Sequence, residues 1–210
     1  MEPMPEDWDR AVAVVAHPDD LEYGVAAAVA RWTGQGKEVT YLLATKGEAG
    51  IAGMAPDQVG PLRMEEELRS AEVVGVSKVL FLDHPDGLVE YGVPLRRDLA
   101  TEFRKLQPDV VITMSFDLTW GEAGPVNHAD HRAVGLAVLD ACRDAANGWV
   151  FPEAGPPWTG IRDAYVATGG NPTHFADVTG TTDAGIASLR EHRAYICLLY
   201  TSDAADDLTR

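Results

Sequence analysis

The sequence predicts a doubly wound α/β fold, a mostly parallel sheet flanked by helices. Two observations carry this. Short β-branched apolar runs alternate with longer amphipathic stretches along the chain, the order that strand–helix units of a parallel sheet require. The runs are also apolar at nearly every position, as in AVAVVA at residues 11–16. Such strands have no side for water and need cover on both faces. At 210 residues the chain suffices for one domain of this kind with a sizeable core, and not for a second.

Residues 11–16 form the first strand, and residues 21–32 a helix stopped by Gly34 and Gly36. Residues 39–44 are the second strand. A Gly-rich loop from Gly47 to Gly60 leads to Pro61, whose fixed φ suits the first turn of the next helix. There Met64, Leu68 and Ala71 recur at i, i+4 and i+7, with Glu65, Glu66 and Arg69 opposite. Residues 78–82 make the third strand, 93–106 a helix and 110–114 the fourth strand. Residues 131–146 are a further helix, with Val134, Val138, Ala141 and Ala145 on one stripe and Asn147-Gly148 as its stop. Residues 164–168 and 174–178 read as late strands around the Asn171-Pro172 turn.

Residues 182–196 have a helical pattern that 197–206 (CLLYTSDAAD) does not continue. The latter resembles a translated sequencing adapter, or else an ordinary frayed tail. On either reading the expected domain is residues 1–196 with 197–210 outside it, and on the first reading the domain is truncated near Ile196.

Composition narrows the function. Against 33 carboxylates stand 17 Lys and Arg, a formal charge of −16, and no basic cluster exceeds Arg96-Arg97. A phosphate-tracking surface needs the opposite sign, so no nucleic-acid partner is expected. Two cysteines, Cys142 and Cys197, are too few for a disulfide framework or a multi-cysteine zinc site. The acidic N-terminus lacks the features of a signal peptide, and no apolar run nears the roughly 18 residues of a membrane helix. These features predict a cytoplasmic protein without membrane insertion. Nothing in the sequence supports a homo-oligomer.

In open parallel sheets ligands bind beyond the carboxyl ends of the strands, and two such places concentrate chemistry. His17-Pro18-Asp19-Asp20 follows the first strand and opens a helix. A helix dipole favours carboxylates there, yet does not explain a His and two Asp in four positions. Asn127-His128-Ala129-Asp130-His131 follows the fourth strand, its two His three apart and on one face of a nascent helix. Either string alone also suits a capped turn. Together, after strands of one sheet, they offer the imidazole and carboxylate that Zn²⁺ prefers, with three protein ligands leaving a place for water.

With these residues in place, the sequence resembles the PIG-L/LmbE-like family of zinc-dependent N-acetylglucosaminyl deacetylases over roughly residues 10–196. The anchors are Ala-His-Pro-Asp-Asp at 16–20 and His-x-Asp-His at 128–131; weaker matches are residues 46–50, Arg63 with Glu67, and Pro85-Asp86-Gly87. The resemblance implies a Rossmann-like sheet and hydrolysis of an N-acetylated amino sugar or its conjugate, a small-molecule substrate. It implies His17, Asp20 and His131 as ligands of Zn²⁺, with Fe²⁺ as the alternative ion. Asp19 would be the general base that activates water on the metal. His128 would stabilise the oxyanion or protonate the leaving amine, with Asp130 holding its ring. Arg63 and Asp86 match positions that contact the sugar. The chain departs from the family in having Ala129 where Pro is usual, and in ending before a segment that helps complete the sheet and pocket.

Two rival functions are a metal-dependent phosphoester hydrolase and a non-catalytic metal-bearing module that binds amino sugars. The first wants more carboxylate ligands than the sequence places. The second has no need of a base and an acid. Elsewhere, His84-Pro85-Asp86 reads as pocket wall, Glu22 as metal-supporting or solvated, and Trp120 as a loop residue over the site or a surface aromatic. His174 and His192 are assigned to structure, and Cys142 to the core.

Overall fold

A computed structural model describes residues 1–121 and 124–197. In chain order the elements are β1 (Glu2–Pro3), β2 (Arg10–Val15), α1 (Asp20–Gly24), α2 (Ala26–Gly34), β3 (Glu38–Leu43), α3 (Pro56–Val73), β4 (Lys78–Phe81), α4 (Val93–Leu106), β5 (Val110–Met114) and α5 (Ala129–Ala146). A 3₁₀ turn at Pro152–Ala154 then precedes β6 (Asp163–Ala167), β7 (His174–Phe175) and α6 (Thr182–Leu189), and 193–197 form a last helical turn. Strands β4-β3-β2-β5-β6 form one sheet in that order, and every neighbouring pair is parallel. The expected architecture is therefore present. Among the described residues no helix is long and apolar enough to cross a membrane. Residues 198–210, nearly all of the expected tail, lie outside the described chain.

The alternation of side chains along β2 divides the core into two layers. Ala11, Ala13 and Val15 pack with Val29 and Trp32 of α2 and Ala71 of α3. Val12 and Val14 pack on the other face with Leu99 and Phe103 of α4 and Val134, Val138 and Ala141 of α5. The chain runs from β2 outward through β3 to β4, then returns to place β5 on the other side of β2. The loops after β2 and β5 thus diverge at the switch point, where a crevice opens.

Five expectations need correction. The helix at 21–32 is two helices, because Val25 leaves helical geometry at φ −134°. The break lies beside Gly24, where a Cβ would meet Met114 Sδ at 2.3 Å; the missing side chain lets the end of β5 approach. The third helix begins at Pro56, with extended Ala55 before it, and Pro61 lies inside. Pro61 forgoes only the bond to the Asp57 carbonyl, and both residues are exposed, so water can replace it. The buried side of α3 carries Arg63, Glu66, Glu67 and Ser70, while Leu68 is 50% exposed. This helix faces a polar interior that periodicity of apolar residues cannot signal. Finally, the stretch 182–196 breaks after Leu189, with fully buried His192 between the two helical pieces. Of 174–178 only His174 and Phe175 pair, with β1.

Arg104 fastens the end of α5. Its buried guanidinium donates to six carbonyls, those of Asp144, Ala145, Asn147, Val150, Phe151 and Gly155, at 2.6–3.1 Å. Arg104→Met should leave those acceptors without a donor and cost at least ~3 kcal/mol in urea denaturation. A loss below ~1 kcal/mol would show that water substitutes for the guanidinium.

Candidate metal centre

The turn after β2 is tied by its own side chains. Asp20 Oδ2 accepts the His17 N–H at 2.9 Å, which folds the carboxylate back toward the strand end. Asp19, between them, takes φ +93°, a conformation costly for a residue with a Cβ. Two buried groups hold it there. Glu67 Oε2 accepts the Asp19 N–H at 3.2 Å, and Arg63 donates to Asp19 Oδ1 at 3.0 Å and to the Pro18 carbonyl. Arg63 also donates to the Gly47 carbonyl at 3.1 Å and lies 3.9 Å from the Tyr195 ring centroid. A Cβ on Gly47 would meet the guanidinium at 2.4 Å, and Gly47 has φ +65°, so glycine is required twice over.

On the other side of the crevice, Asn127 organises the second cluster. Its amide nitrogen donates to the Ser115 and Asp117 carbonyls beyond β5, at 2.9 and 3.0 Å. Its oxygen accepts the His128 N–H at 2.8 Å and faces His131 Nδ1 at 2.9 Å. His131 therefore carries its proton on Nδ1 when neutral, which leaves a lone pair on Nε2. His17 Nε2 lies 3.0 Å from Asp86 Oδ1 and 3.2 Å from Asp130 Oδ2, so its neutral ring leaves the lone pair on Nδ1.

Those bare nitrogens face each other. His17 Nδ1 is 3.2 Å from His131 Nε2 and 3.5 Å from Asp20 Oδ2, and His131 Nε2 is 3.1 Å from Asp20 Oδ1. Three electron pairs converging at such distances repel unless a cation lies among them, so the donor set fits a metal ion. Burial alone would lower the pKa of His17, but hydrogen bonds to Asp130, Asp20 and Asp86 outweigh it and push it up to about 12. A proton and a metal ion compete for that site. Burial would likewise raise Asp20, yet His131 and His17 hold it well below the usual carboxylate range.

The expected residues do come together. His17, Asp19, Asp20, Arg63, Asp86, His128 and His131 line one cavity of about 580 Å³, with Trp120, Tyr23 and Tyr195 also on its walls. Asp130 has a different partner from the one expected. Its carboxylate accepts the Gly87 and Val89 N–H groups at 2.7 and 3.1 Å and meets His17; only its backbone N–H reaches the His128 ring, at Nδ1. The Asp130 carboxylate stays near the His128 ring, but its hydrogen bonds go to the loop after β4 and to His17. Asp86 braces the His17 ring and accepts the Ala49 N–H at 2.8 Å. Arg63 is 2% exposed; its two terminal nitrogens are committed to protein acceptors, while its Nε has none. His84 pairs with Asp98 at 3.1 Å. Trp120 stands edge-on to His131, ring centroids 5.8 Å apart.

Residues 12–142 match the family described as PIG-L, GlcNAc-PI de-N-acetylase. The chain belongs to the PIG-L family. It is 27% identical over 197 residues to the diacetylchitobiose deacetylase of Thermococcus kodakarensis, a match covering 90% of this chain and 70% of that one. Its fold is shared with N,N'-diacetylchitobiose deacetylase from Pyrococcus horikoshii, at 24% identity and TM-score 0.83 over 90% and 72% of the two chains. GalB, the 4-carboxy-2-hydroxymuconate hydratase from Pseudomonas putida KT2440, also shares it, at 21% identity and TM-score 0.72 over 90% and 81%. A PIG-L fold thus accommodates more than one reaction, and the site has to decide which.

Asn127 is the organiser that pattern reading passed over; its place beside His128 was the only signal. Long-range ¹H–¹⁵N NMR should find neutral His131 protonated at Nδ1, and Asn127→Ala should remove that preference. A native ring protonated at Nε2 would refute the assignment.

Proposed function

We propose that this PIG-L protein is a metal-dependent N-deacetylase acting on an N-acetylglucosamine-type amino sugar or its conjugate. The observation that carries the proposal is the convergence of His17 Nδ1, Asp20 and His131 Nε2 beside an independently held carboxylate, Asp19. Relatives named as deacetylases support it. Two imidazoles and one carboxylate suit Zn²⁺, and Fe²⁺ accepts the same set. A divalent ion held there would supply Lewis acidity, polarising an amide carbonyl and lowering the pKa of water.

The side chains divide the remaining work. Asp19 takes the proton of the attacking water; with Oδ1 engaged by Arg63, Oδ2 is its accepting oxygen. Burial and then the Asp20 charge raise Asp19 to about 7, against the pull of Arg63. A neighbouring cation adds to that pull and keeps the group ionised. His128 receives the Asp130 N–H at Nδ1, so its neutral ring offers Nε2–H to the cavity, where a carbonyl oxygen gaining charge accepts it. Burial, and then His17, lower the His128 pKa, which keeps the ring neutral in this donor role, and the proton that Asp19 takes from water is the one that passes to the departing amine. Asp130 fixes His17, and Arg63 and Asp86 border the cavity where the sugar would lie.

Asp19→Asn should lower kcat by about 10²–10⁴ in a free-amine assay with N-acetylglucosamine or diacetylchitobiose, while metal content by elemental analysis stays unchanged. Near-native turnover would remove Asp19 from the chemistry. Asp20→Ala and His131→Ala should each lose the metal of this centre, and an ion retained at it in either would refute their assignment. Phosphate release without amine would favour the phosphoester hydrolase, and intact ligand after long incubation the binding module.

A further inference from the structure

Beneath the cavity lies a second group of donors, closed off from water. Glu22 on α1, Glu67 on α3 and His192, just after α6, meet with all three side chains 0% exposed. His192 Nε2 is 3.5 Å from Glu22 Oε2 and 3.6 Å from Glu67 Oε2. Some atoms are satisfied locally: Ser70 Oγ donates to Glu22 Oε1 at 2.6 Å, and the Asp19 N–H to Glu67 Oε2. Glu22 Oε2, Glu67 Oε1 and both ring nitrogens of His192 have no hydrogen-bond partner.

Two carboxylates in a dry interior need protons or a cation. A proton shared between His192 and either carboxylate would draw the heavy atoms to about 2.7–2.9 Å. The observed separations are wider. They match the edge, about 3.4 Å, of a tetrahedron whose corners lie about 2.1 Å from a central ion. The donors of the centre above show similar spacings of 3.1, 3.2 and 3.5 Å.

We propose that Glu22, Glu67 and His192 form a second divalent-cation site, suited to Zn²⁺, with a structural role. Three protein donors leave one position over, but all three side chains are 0% exposed, so a bound ion would stabilise the fold by tying α1, α3 and the segment after α6 together. It would also fix Glu67, whose carboxylate holds the Asp19 backbone, and so join the architecture to the proposed base.

The test uses the Asp20→Ala/His131→Ala double variant, which lacks two donors of the first centre and none of this one. After loading with Zn²⁺ and removal of free ion, the folded variant should retain about one zinc per chain. Anomalous scattering at the zinc edge should place that zinc among Glu22, Glu67 and His192. Adding His192→Asn should abolish both the zinc and its contribution to Tm. No zinc in the folded double variant, a zinc peak elsewhere, or a folded triple variant that keeps its zinc would each overturn the proposal. The diffraction experiment does not require the His192 variant to fold, and amine release by the native protein tests the deacetylase reading separately.

Discussion

Six carboxylates, those of Asp19, Asp20, Glu22, Glu66, Glu67 and Asp130, are buried around the switch point of the sheet, and their compensation governs the structure there. Desolvating so many anions is tolerable only where each finds donors or cations. Arg63 answers Asp19, the Gly87 and Val89 N–H groups answer Asp130, and the Ala194 N–H answers Glu66 at 2.7 Å. The Asp19 N–H answers Glu67. His17 and His131 face Asp20, and His192 stands between Glu22 and Glu67. This wiring leaves lone pairs facing one another at His17–Asp20–His131 and buried polar atoms without a hydrogen-bond partner at Glu22–Glu67–His192.

The constraint reaches outward into the fold. It gives α3 a charged buried face, bends the 182–197 segment so that His192 turns inward, and keeps Gly47 without a side chain beside Arg63. It also holds Asp19 at φ +93°, a backbone conformation costly for a residue with a Cβ. Strain of this kind persists only where surrounding bonds over-determine it, and here Arg63 and Glu67 do so from two sides.

Membership of the PIG-L family and a shared fold do not select a reaction by themselves, since a hydratase has the same architecture. Selection lies in the order of groups along the cavity wall. A bound ion among His17, Asp20 and His131, a carboxylate on one flank and a ring N–H on the other would suit attack of water on an amide and departure of an amine. Neither flank is needed for binding alone.

Much was legible in the chain itself. Helix α4 and strand β5 occur at their expected residues, and β2, β3, β4 and β6 within one residue at each end, because fully apolar strands and a strong amphipathic stripe are local properties. The His-Pro-Asp-Asp and His-x-Asp-His strings supplied His17, Asp19, Asp20, His128 and His131; Arg63 came from the family likeness, Asp86 from that likeness and from His84-Pro85-Asp86, and Trp120 from its place between Gly-rich turns. Three things were decided only by tertiary structure. The break at Val25 lies beside Gly24, against which Met114 packs from another strand. The polar burial of α3 depends on what lies opposite it. The partner of Asp130 depends on the loop after β4 crossing the crevice. Local sequence sets hydrophobicity, turn chemistry and ligand type; which charge meets which is set by contacts between residues tens of positions apart, where burial makes an unmet charge too costly to leave.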